Sequence, residues 1–467
     1  MAGSKMTIQQ IAARLTEDIQ TARCHQPDSG WYAATCTGTW EWDVFLARFG
    51  QVSLPEADFL FMKPQAQFGL LGFGRTVRVR ADGATRFSEL RSSLRRVTQD
   101  LGLTVDARPR WLGGFSFAPG PHGAPWQEWP DCEFRLPRWL VERSGERVWL
   151  TLTLTAEEAS RFDLEHQLAR ELSRWLENDR PVQPVYLAGG PESRVIWDED
   201  DALAKWQAAV SQTALEIQSG EYQKAVLARS VRVQGGTVNL ALVIERLSAT
   251  YPEAYVFGVR QGSEWFVGAT PERLVSVRER QVHIDGLAGT TSRGETEAED
   301  RRLAAELLAS AKNRQEHRAV VDWIATSIAD AVAEMQIPRE PQIRRLANVQ
   351  HLYTPVTGYL RANMNVLDLV ERLHPTPAVA GVPRTKALSV IAHREWFSRG
   401  WYAGPVGWMT LAGDGEFAVA LRSGLLSAST STLFAGAGIM GDSDADAEWT
   451  ETEWKFQPML RALEVRE

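Results

Sequence analysis

The segment WYAGPVGWMTLAGDGEFAVALRSGLLSASTSTLFAGAGIMG (401–441) decides the fold class. Its short apolar runs are separated by glycine, aspartate and serine, which are typical turn residues. The runs predict consecutive strands near 404–412, 416–422, 424–429 and 431–435. Strands that follow one another through short turns pair antiparallel. The acidic stretch after them has helical spacing, so we expect a final helix over 444–464.

Upstream of this segment, the predicted strands and helices also come in blocks rather than in strict alternation. Predicted strands cover 222–233, 254–260, 264–268, 273–278 and 281–285, and predicted helices cover 7–22, 157–177, 200–219, 297–335, 365–373 and 384–393. Blocks of this kind indicate an α+β protein with largely antiparallel sheets. The stretch RPVQPVYLAGGPES (180–193) is rich in proline and glycine and predicts a linker. We therefore place a boundary near residue 190, between an N-terminal lobe (1–190) and a second region (191–467).

Composition limits the class of function. The chain has 467 residues, 44% of them apolar, and 51 basic against 59 acidic side chains give a net charge of −8. This is an ordinary soluble composition, and the acidic excess argues against a general nucleic-acid partner. Three cysteines without a CxxC pair favour a reducing compartment. The sequence suggests no signal peptide and no membrane span, so we expect a cytoplasmic protein.

Lys224 lies in the predicted strand EYQKAVLARSVRV (221–233) and shares a face with Val226 and Ala228. Such a lysine either extends its ammonium group into solvent at a sheet edge or is partly buried. Burial favours the neutral amine, which is the form that acts as a base. The pattern alone leaves both interpretations open and favours the structural one.

Glu316 is followed at steps of four by Val320, Ile324 and Ile328, which predicts that its carboxylate extends the buried face of a long helix. A buried carboxylate needs a counter-charge or a metal ion. The alternative is a salt bridge near the helix end with Lys312.

Glu448 and Glu451 are three residues apart, on one face of the final helix, with Lys455 one turn beyond. Acidic residues in a first turn complement the helix dipole, which is the simpler interpretation. The functional one is a Mg²⁺ site, because this ion prefers carboxylate oxygens.

Arg422 follows Ala418 and Ala420 on one face of a predicted strand, where an arginine has room to bind a carboxylate. An edge arginine in solvent is the alternative. Downstream, GAGIMG (436–441) offers backbone amides for an anion, or an ordinary glycine turn.

Beyond these residues, a set of motifs occurs in a distinctive order. They are GATPERL (268–274), LAGTTSRG (287–294), KNRQEH (312–317), VQHLYTPVTG (349–358), HPTPAVAG (374–381), WYAGPVGW (401–408) and VALR (419–422), with WLGGFSFAPG (111–120) as a weaker match. In this order, with the acidic segment over 442–455, they resemble the chorismate-utilising enzymes. The resemblance implies a four-layer α+β fold, with two large antiparallel sheets packed together and helices outside.

The resemblance also implies a role for each candidate. Lys224 would activate water for attack at C2 of chorismate, and Glu272 would protonate the C4 hydroxyl as it leaves. Glu316, Glu448 and Glu451 would hold Mg²⁺. The implied substrate-binding residues are Gly289, Thr290, Ala378, Tyr402, Leu421, Arg422, Gly436, Gly438 and Lys455.

Within the family, Lys224, Ala288 and Ala378 all point to water rather than ammonia as the nucleophile. The sequence is therefore most similar to isochorismate synthases, of the menaquinone-pathway type rather than the siderophore type. The alternatives are salicylate synthase and component I of anthranilate or aminodeoxychorismate synthase. We expect chorismate as substrate, no amidotransferase partner, and a monomer or homodimer.

Overall fold

The computed structural model describes residues 6–38, 40–49, 57–176, 184–197, 201–345 and 349–465. Within these ranges the helices are α1 (Ile8–His25), α2 (Trp42–Leu46), α3 (Arg86–Gln99), α4 (Ala156–Ala159), α5 (Leu164–Leu176), α6 (Ala202–Gln218), α7 (Leu240–Thr250), α8 (Glu297–Ala309), α9 (Ala311–Ile328), α10 (Val366–Leu373), α11 (Arg384–Arg394) and α12 (Ala445–Ala462).

The strands in the same ranges are β1 (Trp31–Gly38), β2 (Ala57–Lys63), β3 (Phe68–Phe73), β4 (Val77–Ala81), β5 (Leu101–Leu103), β6 (Arg110–Phe115), β7 (Cys132–Leu136), β8 (Trp139–Ser144), β9 (Arg147–Thr155), β10 (Tyr186–Leu187), β11 (Arg194–Trp197), β12 (Lys224–Gln234), β13 (Val238–Asn239), β14 (Tyr255–Gln261), β15 (Glu264–Thr270), β16 (Arg273–Arg278), β17 (Gln281–Ser292), β18 (Val332–Gln336), β19 (Gln342–Arg345), β20 (Val349–Leu360), β21 (Gly381–Val382), β22 (Pro405–Thr410), β23 (Gly415–Val419), β24 (Ser423–Leu426) and β25 (Thr430–Ile439).

Most of these strands form two large sheets. The first sheet has the order β11-β12-β25-β24-β15-β14-β2-β3-β8-β9-β1-β5, with β21 beside β12. The second has the order β18-β20-β17-β16-β23-β22-β6-β7-β4, with β19 beside β20. The β1–β5 pairing is parallel, whereas neighbours such as β12–β25 and β17–β20 are antiparallel. Among the described helices, none has the length and apolar character that a membrane crossing requires.

Alternating side chains pack the first sheet on both of its faces. Phe59 and Phe61 of β2 belong to the core between the sheets, whereas Leu60 and Met62 belong to a second core under helices. This is the period of two that a strand imposes. The second core contains side chains of α1, α5, α7 and α12, and the first core contains side chains of α3, α9 and α10. The layers are therefore helices, sheet, sheet and helices, as the resemblance implies.

Strands from before and after residue 190 lie side by side in both sheets. β2 pairs with β14 in the first sheet, and β6 pairs with β22 in the second. The linker stretch 180–193 lies partly outside the described residues, and the boundary near 190 stays a prediction.

Three of the predicted elements are wrong in extent. The helix over 157–177 is two helices, α4 and α5. The single helix over 297–335 is two helices, because Ser310 has an extended backbone and its side chain caps the start of α9. Val332 then starts β18 and pairs with β20. The strand over 416–422 ends at Val419, because the next residues leave the second sheet for the first.

The close spacing of strands in the second sheet predicts the effect of one substitution. A Cβ atom at Gly407 in β22 would lie 2.1 Å from the carbonyl oxygen of Glu416. We expect Gly407→Ala to lower the free energy of unfolding by about 2 kcal/mol, measured by urea denaturation. Gly123→Ala is the matched control, since a Cβ there would meet nothing within 4 Å. Equal stability of the two variants would contradict this account of the packing.

Candidate active site

The chain passes between the two sheets at two neighbouring places. Glu272 lies between β15 of the first sheet and β16 of the second, and Arg422 lies between β23 of the second and β24 of the first. The amide of Val419 donates to the Glu272 carbonyl at 3.0 Å, and the amide of Ala269 donates to the Arg422 carbonyl at 3.2 Å. The two crossings therefore run side by side. Arg422 has a left-handed backbone, with φ of 49°, so it is not the strand residue that the sequence predicts.

Lys224 starts β12, which is adjacent to β25 in the first sheet. A Cβ atom at Gly438 of β25 would lie 3.0 Å from Cε and 3.4 Å from Nζ of Lys224. The end of the lysine side chain therefore lies against the glycine backbone, in space that a larger residue would fill. Lys224 is half-buried, and its role as a base stays a prediction.

Two opposing influences, burial and nearby charge, set the pKa of the Glu272 carboxyl group. Burial raises its pKa to about 7, against the opposing influence of the cations Lys224, Arg422 and Lys455. The charges of these three side chains influence the Glu272 carboxyl group, which indicates that the side chains lie near it. Glu272 as a whole is half-buried, so part of its surface reaches solvent. At neutral pH a large fraction of Glu272 carries a proton that it can donate.

Lys455 and Arg422 are the anion-binding candidates beside this carboxyl group. Burial lowers the pKa of both groups, and the charge of Glu451 opposes that shift. The Lys455 ammonium group donates to the carbonyl of Gly436 at 2.8 Å and forms an ion pair with Glu451. Lys455 thus links α12 to β25.

Gly436 and Gly438 lie on a part of β25 that is paired on one side. β24 pairs with β25 from Ser431 to Phe434, whereas β12 continues to Ile439. In an antiparallel ladder, successive residues direct their backbone groups to opposite edges. Because Lys455 bonds the Gly436 carbonyl, the backbone groups of Gly436 and Gly438 face the edge that β24 leaves free. Binding of an anion there stays a prediction.

Tyr402 adds a neutral hydrogen-bond donor. Its ring stacks on Phe434 with centroids 5.3 Å apart, and its hydroxyl oxygen lies 3.3 Å from the position of a Cβ at Gly436. Burial raises the pKa of Tyr402 to about 12, so the hydroxyl keeps its proton at neutral pH.

Glu448 and Glu451 project from the first half of α12. Asp444, not a glutamate, caps this helix. Ser443 donates to Glu448 at 2.7 Å, yet burial and the charge of Glu451 raise the pKa of Glu448. The two carboxylates repel each other, and a divalent cation would relieve that repulsion. This donor pair fits Mg²⁺ chemically.

Glu316 differs from its predicted position. The buried stripe of α9 consists of His317, Val321, Ile324 and Ile328, and Glu316 is exposed on a neighbouring face. The prediction that its carboxylate extends the buried face is wrong, because the buried stripe of α9 starts at His317, one residue after Glu316.

The salt-bridge alternative for Glu316 is not formed either. Lys312 pairs with Asp442 instead, at 3.2 Å. In the described part of the chain, histidine, cysteine and acidic side chains form no group of three that could hold a metal ion. A shared site of Glu316 with Glu448 and Glu451 stays a prediction.

Gly289 and Thr290 lie at a bulge of β17. Gly289 has φ of 73°, and a Cβ there would lie 3.2 Å from Asn313 of α9. Thr290 is exposed and forms a 2.8 Å hydrogen bond with His351. Their contacts are with α9 and β20, and their place in a substrate pocket stays a prediction.

Ala378 and Leu421 lie closer to the crossings. Ala378 is exposed, two residues before Ala380, whose carbonyl accepts the amide of Val226 at 2.8 Å. Leu421 is half-buried, and its backbone amide donates to the carbonyl of Val419 at 2.8 Å. Both roles stay predictions.

Sequence reasoning missed a buried ion pair beside these residues. The Nε of Arg399 lies 2.9 Å from Oε2 of Glu395, and their side chains are 3% and 4% exposed. The signal was two opposite charges four residues apart in the otherwise apolar and aromatic stretch EWFSRGWYAG (395–404).

Comparison with known proteins agrees with this geometry. A family model described as chorismate binding enzyme matches residues 27–464. The chain belongs to this family. The finding confirms the resemblance seen in the motifs, and the layered fold is the one the family has.

Several relatives of the chain within the chorismate-binding family are isochorismate synthases. The chain is 37% identical over 403 residues to the salicylate biosynthesis isochorismate synthase of Pseudomonas aeruginosa, covering 85% of this chain and 83% of that protein. It is 37% identical over 359 residues to the isochorismate synthase MenF of Bacillus subtilis, covering 76% and 74%. Among solved structures, MenF, the menaquinone-specific isochorismate synthase from Escherichia coli, matches with a TM-score of 0.76 and 26% identity, covering 96% of this chain and 99% of that one.

The raised pKa of Glu272 predicts a pH-dependent stability difference. An unfolded glutamate has a pKa of 4.5, against about 7 for folded Glu272. As pH rises through this window the unfolded chain loses its proton first, so Glu272 makes folding less favourable. We expect Glu272→Gln to raise the melting temperature relative to the unmodified protein by about 2 °C at pH 8 and by little at pH 5.

The control for that measurement is Glu297→Gln, because the Glu297 side chain is 83% exposed. Its melting temperature should follow that of the unmodified protein across the same pH range. A Glu272→Gln difference that does not change with pH would reject the raised pKa.

Proposed function

We propose that this protein is an isochorismate synthase, which converts chorismate to isochorismate in a Mg²⁺-dependent isomerisation. The observation that carries the proposal is Glu272, a carboxyl group with a pKa near 7 on which the charges of Lys224, Arg422 and Lys455 act. An acid, a base candidate and two further cations at one place suit an anionic substrate that must lose a hydroxyl group. The names of the relatives support the same reaction.

Glu272 is the proposed general acid. Hydroxide is a poor leaving group, so the C4 oxygen of chorismate needs a proton as its bond to carbon breaks. A buried carboxyl group that is still protonated near neutral pH can supply it. Arrival of a dianionic substrate adds negative charge beside the group and favours its protonated form further.

Lys224 is the proposed general base. In the proposed step, the Lys224 amine takes a proton from water as the water oxygen bonds to C2. The ring double bond shifts, and the C4 oxygen departs as water with the proton from Glu272. One water enters and one leaves, so the reaction is balanced without a redox partner.

The substrate carboxylates are the proposed ligands of the cations and of the strand edge. Arg422 and Lys455 supply positive charge, and Tyr402 supplies a hydroxyl donor. The amides of Gly436 and Gly438 extend this surface. Further pocket residues in the proposal are Gly289, Thr290, Ala378 and Leu421.

Glu448 and Glu451 are the proposed Mg²⁺ ligands, with Glu316 as the third carboxylate. When bound, the ion would neutralise and orient the ring carboxylate of the substrate. The mutual repulsion of Glu448 and Glu451 supports this assignment. Glu316 is exposed on α9, and its part in the proposed metal site rests on the family resemblance.

The pathway and setting are part of the proposal. The match over nearly the full length of the menaquinone-specific enzyme supports menaquinone synthesis as the fate of the product, with salicylate and siderophore synthesis as the rival fate. Water as nucleophile removes the need for an amidotransferase partner. We propose that the enzyme acts in the cytoplasm, as a monomer or homodimer.

Product analysis tests the reaction itself. Purified protein with chorismate and Mg²⁺ should form isochorismate, resolved by liquid chromatography, and EDTA should stop the reaction until Mg²⁺ is restored. Salicylate and pyruvate as main products would indicate a salicylate synthase instead. Turnover that requires ammonia would reject the water mechanism.

Substitution of the proposed acid and base tests their roles. We expect Lys224→Ala and Glu272→Gln each to lower kcat by at least about 10³-fold, within the range that acid–base catalysis supplies, while calorimetry still detects chorismate binding. Lys386→Ala is the control, because Lys386 is a surface lysine paired with Glu221. Turnover of either site variant at the unmodified rate would reject that assignment.

A further inference from the structure

In the described part of the chain, β12 has strand neighbours along only part of its outer edge. β25 covers the inner edge from Ala225 to Gln234. On the outer edge, β21 reaches Ala225, and β11 begins its pairing at Val231. Residues 226–230 lie between these two short partners, close after Lys224. Their backbone groups need other hydrogen-bond partners.

The buried ion pair Glu395–Arg399 takes the place of a strand there. Nη2 of Arg399 donates to the carbonyl of Val226 at 2.8 Å. The amide of Ala228 donates to Oε1 of Glu395, also at 2.8 Å. Val226 and Ala228 are alternate residues, so these are the groups that a paired strand would bond at this edge.

The same arginine joins three other segments to β12. Its Nη1 donates to the carbonyl of Val379 at 2.8 Å, in the HPTPAVAG segment. Its guanidinium group also lies 6.0 Å from the centroid of the Tyr402 ring. Its guanidinium group lies over the ring of Phe117, 4.2 Å from the centroid, in the WLGGFSFAPG segment. Motifs that are far apart in sequence therefore meet on one side chain.

We propose that the Glu395–Arg399 pair is the positioning element of the site, which sets the place of Lys224 relative to Tyr402 and the 374–381 segment. This inference rests on the proposed function. A planar guanidinium group bonded to a carboxylate and to two carbonyls has one favourable geometry, so it fixes the segments it bonds. Lys224 is two residues from Val226, and a displacement of about 1 Å at a reacting group lowers a rate about 10²-fold.

The test uses the full chain with Arg399→Ala, Arg399→Lys and Glu395→Gln. We expect Arg399→Ala to lower kcat about 10²-fold with KM changed less than about threefold, because positioning acts on the chemical step. Arg399→Lys and Glu395→Gln keep part of the hydrogen bonding and should lose less. Methylguanidine added to Arg399→Ala should restore much of the lost kcat, since it can fill the vacated space.

The matched control is Arg138→Ala. Arg138 is a half-buried arginine that pairs with Glu171 and Glu158 in the N-terminal part of the chain. It should lose thermal stability, keep its kcat per folded molecule, and gain nothing in kcat from methylguanidine. Folded fractions are measured by circular dichroism at the assay temperature.

Two outcomes overturn the inference. One is an unmodified kcat per folded molecule in Arg399→Ala. The other is a loss of kcat that methylguanidine leaves unchanged, because that loss would be ordinary destabilisation.

Failure of the proposed function has a different signature, namely that the unmodified protein does not convert chorismate. In that case hydrogen exchange of the amides over 224–228 decides the positioning role. Faster exchange in Arg399→Ala that methylguanidine slows supports it, and unchanged exchange overturns it.

Discussion

The face-to-face packing of two antiparallel sheets is the constraint on which the site depends. A chain that builds both sheets must cross between them, and here the crossings at Glu272 and Arg422 run side by side with hydrogen bonds between their backbones. Each crossing brings a charged side chain into an environment of low polarity. The same geometry places the start of β12 and the free edge of β25 beside them. The layered core thus determines where charge can be concentrated.

Competition between burial and opposite charge sets the chemistry of that place. The charges of three cations favour the ionised form of Glu272, but burial has the larger influence, so a large fraction of the carboxyl group keeps its proton at neutral pH. Burial also lowers the pKa of Arg422 and Lys455, and Glu451 offsets part of that effect. An acidic protein thereby presents a locally cationic cleft. Its net charge of −8 describes the surface and not this cleft.

At one edge of β12, side chains rather than another strand bond the backbone groups. The Glu395–Arg399 pair lies at an edge where β12 has no strand neighbour among the described residues, between β21 and β11. A further strand at this edge would bond β12 alone, through backbone groups at a fixed spacing. One arginine side chain can instead bond β12 and several loops at once. This explains why segments from both halves of the chain, such as those with Phe117 and Val379, converge at one point.

Period-two patterning and ordered motifs are local properties, so the class of fold and the family could be predicted from the sequence alone. The strand β12, the helix α12 and the pairing of Glu448 with Glu451 on one helical face followed from spacing alone. Other features needed the tertiary structure. The break at Ser310, the exposure of Glu316 and the crossing at Arg422 depend on which face meets a neighbour, and a local pattern does not carry that information. The meeting of Lys224, Glu272 and Lys455, and the role of Arg399, were decided only by folding, because burial and charge act through space between residues that the sequence keeps far apart.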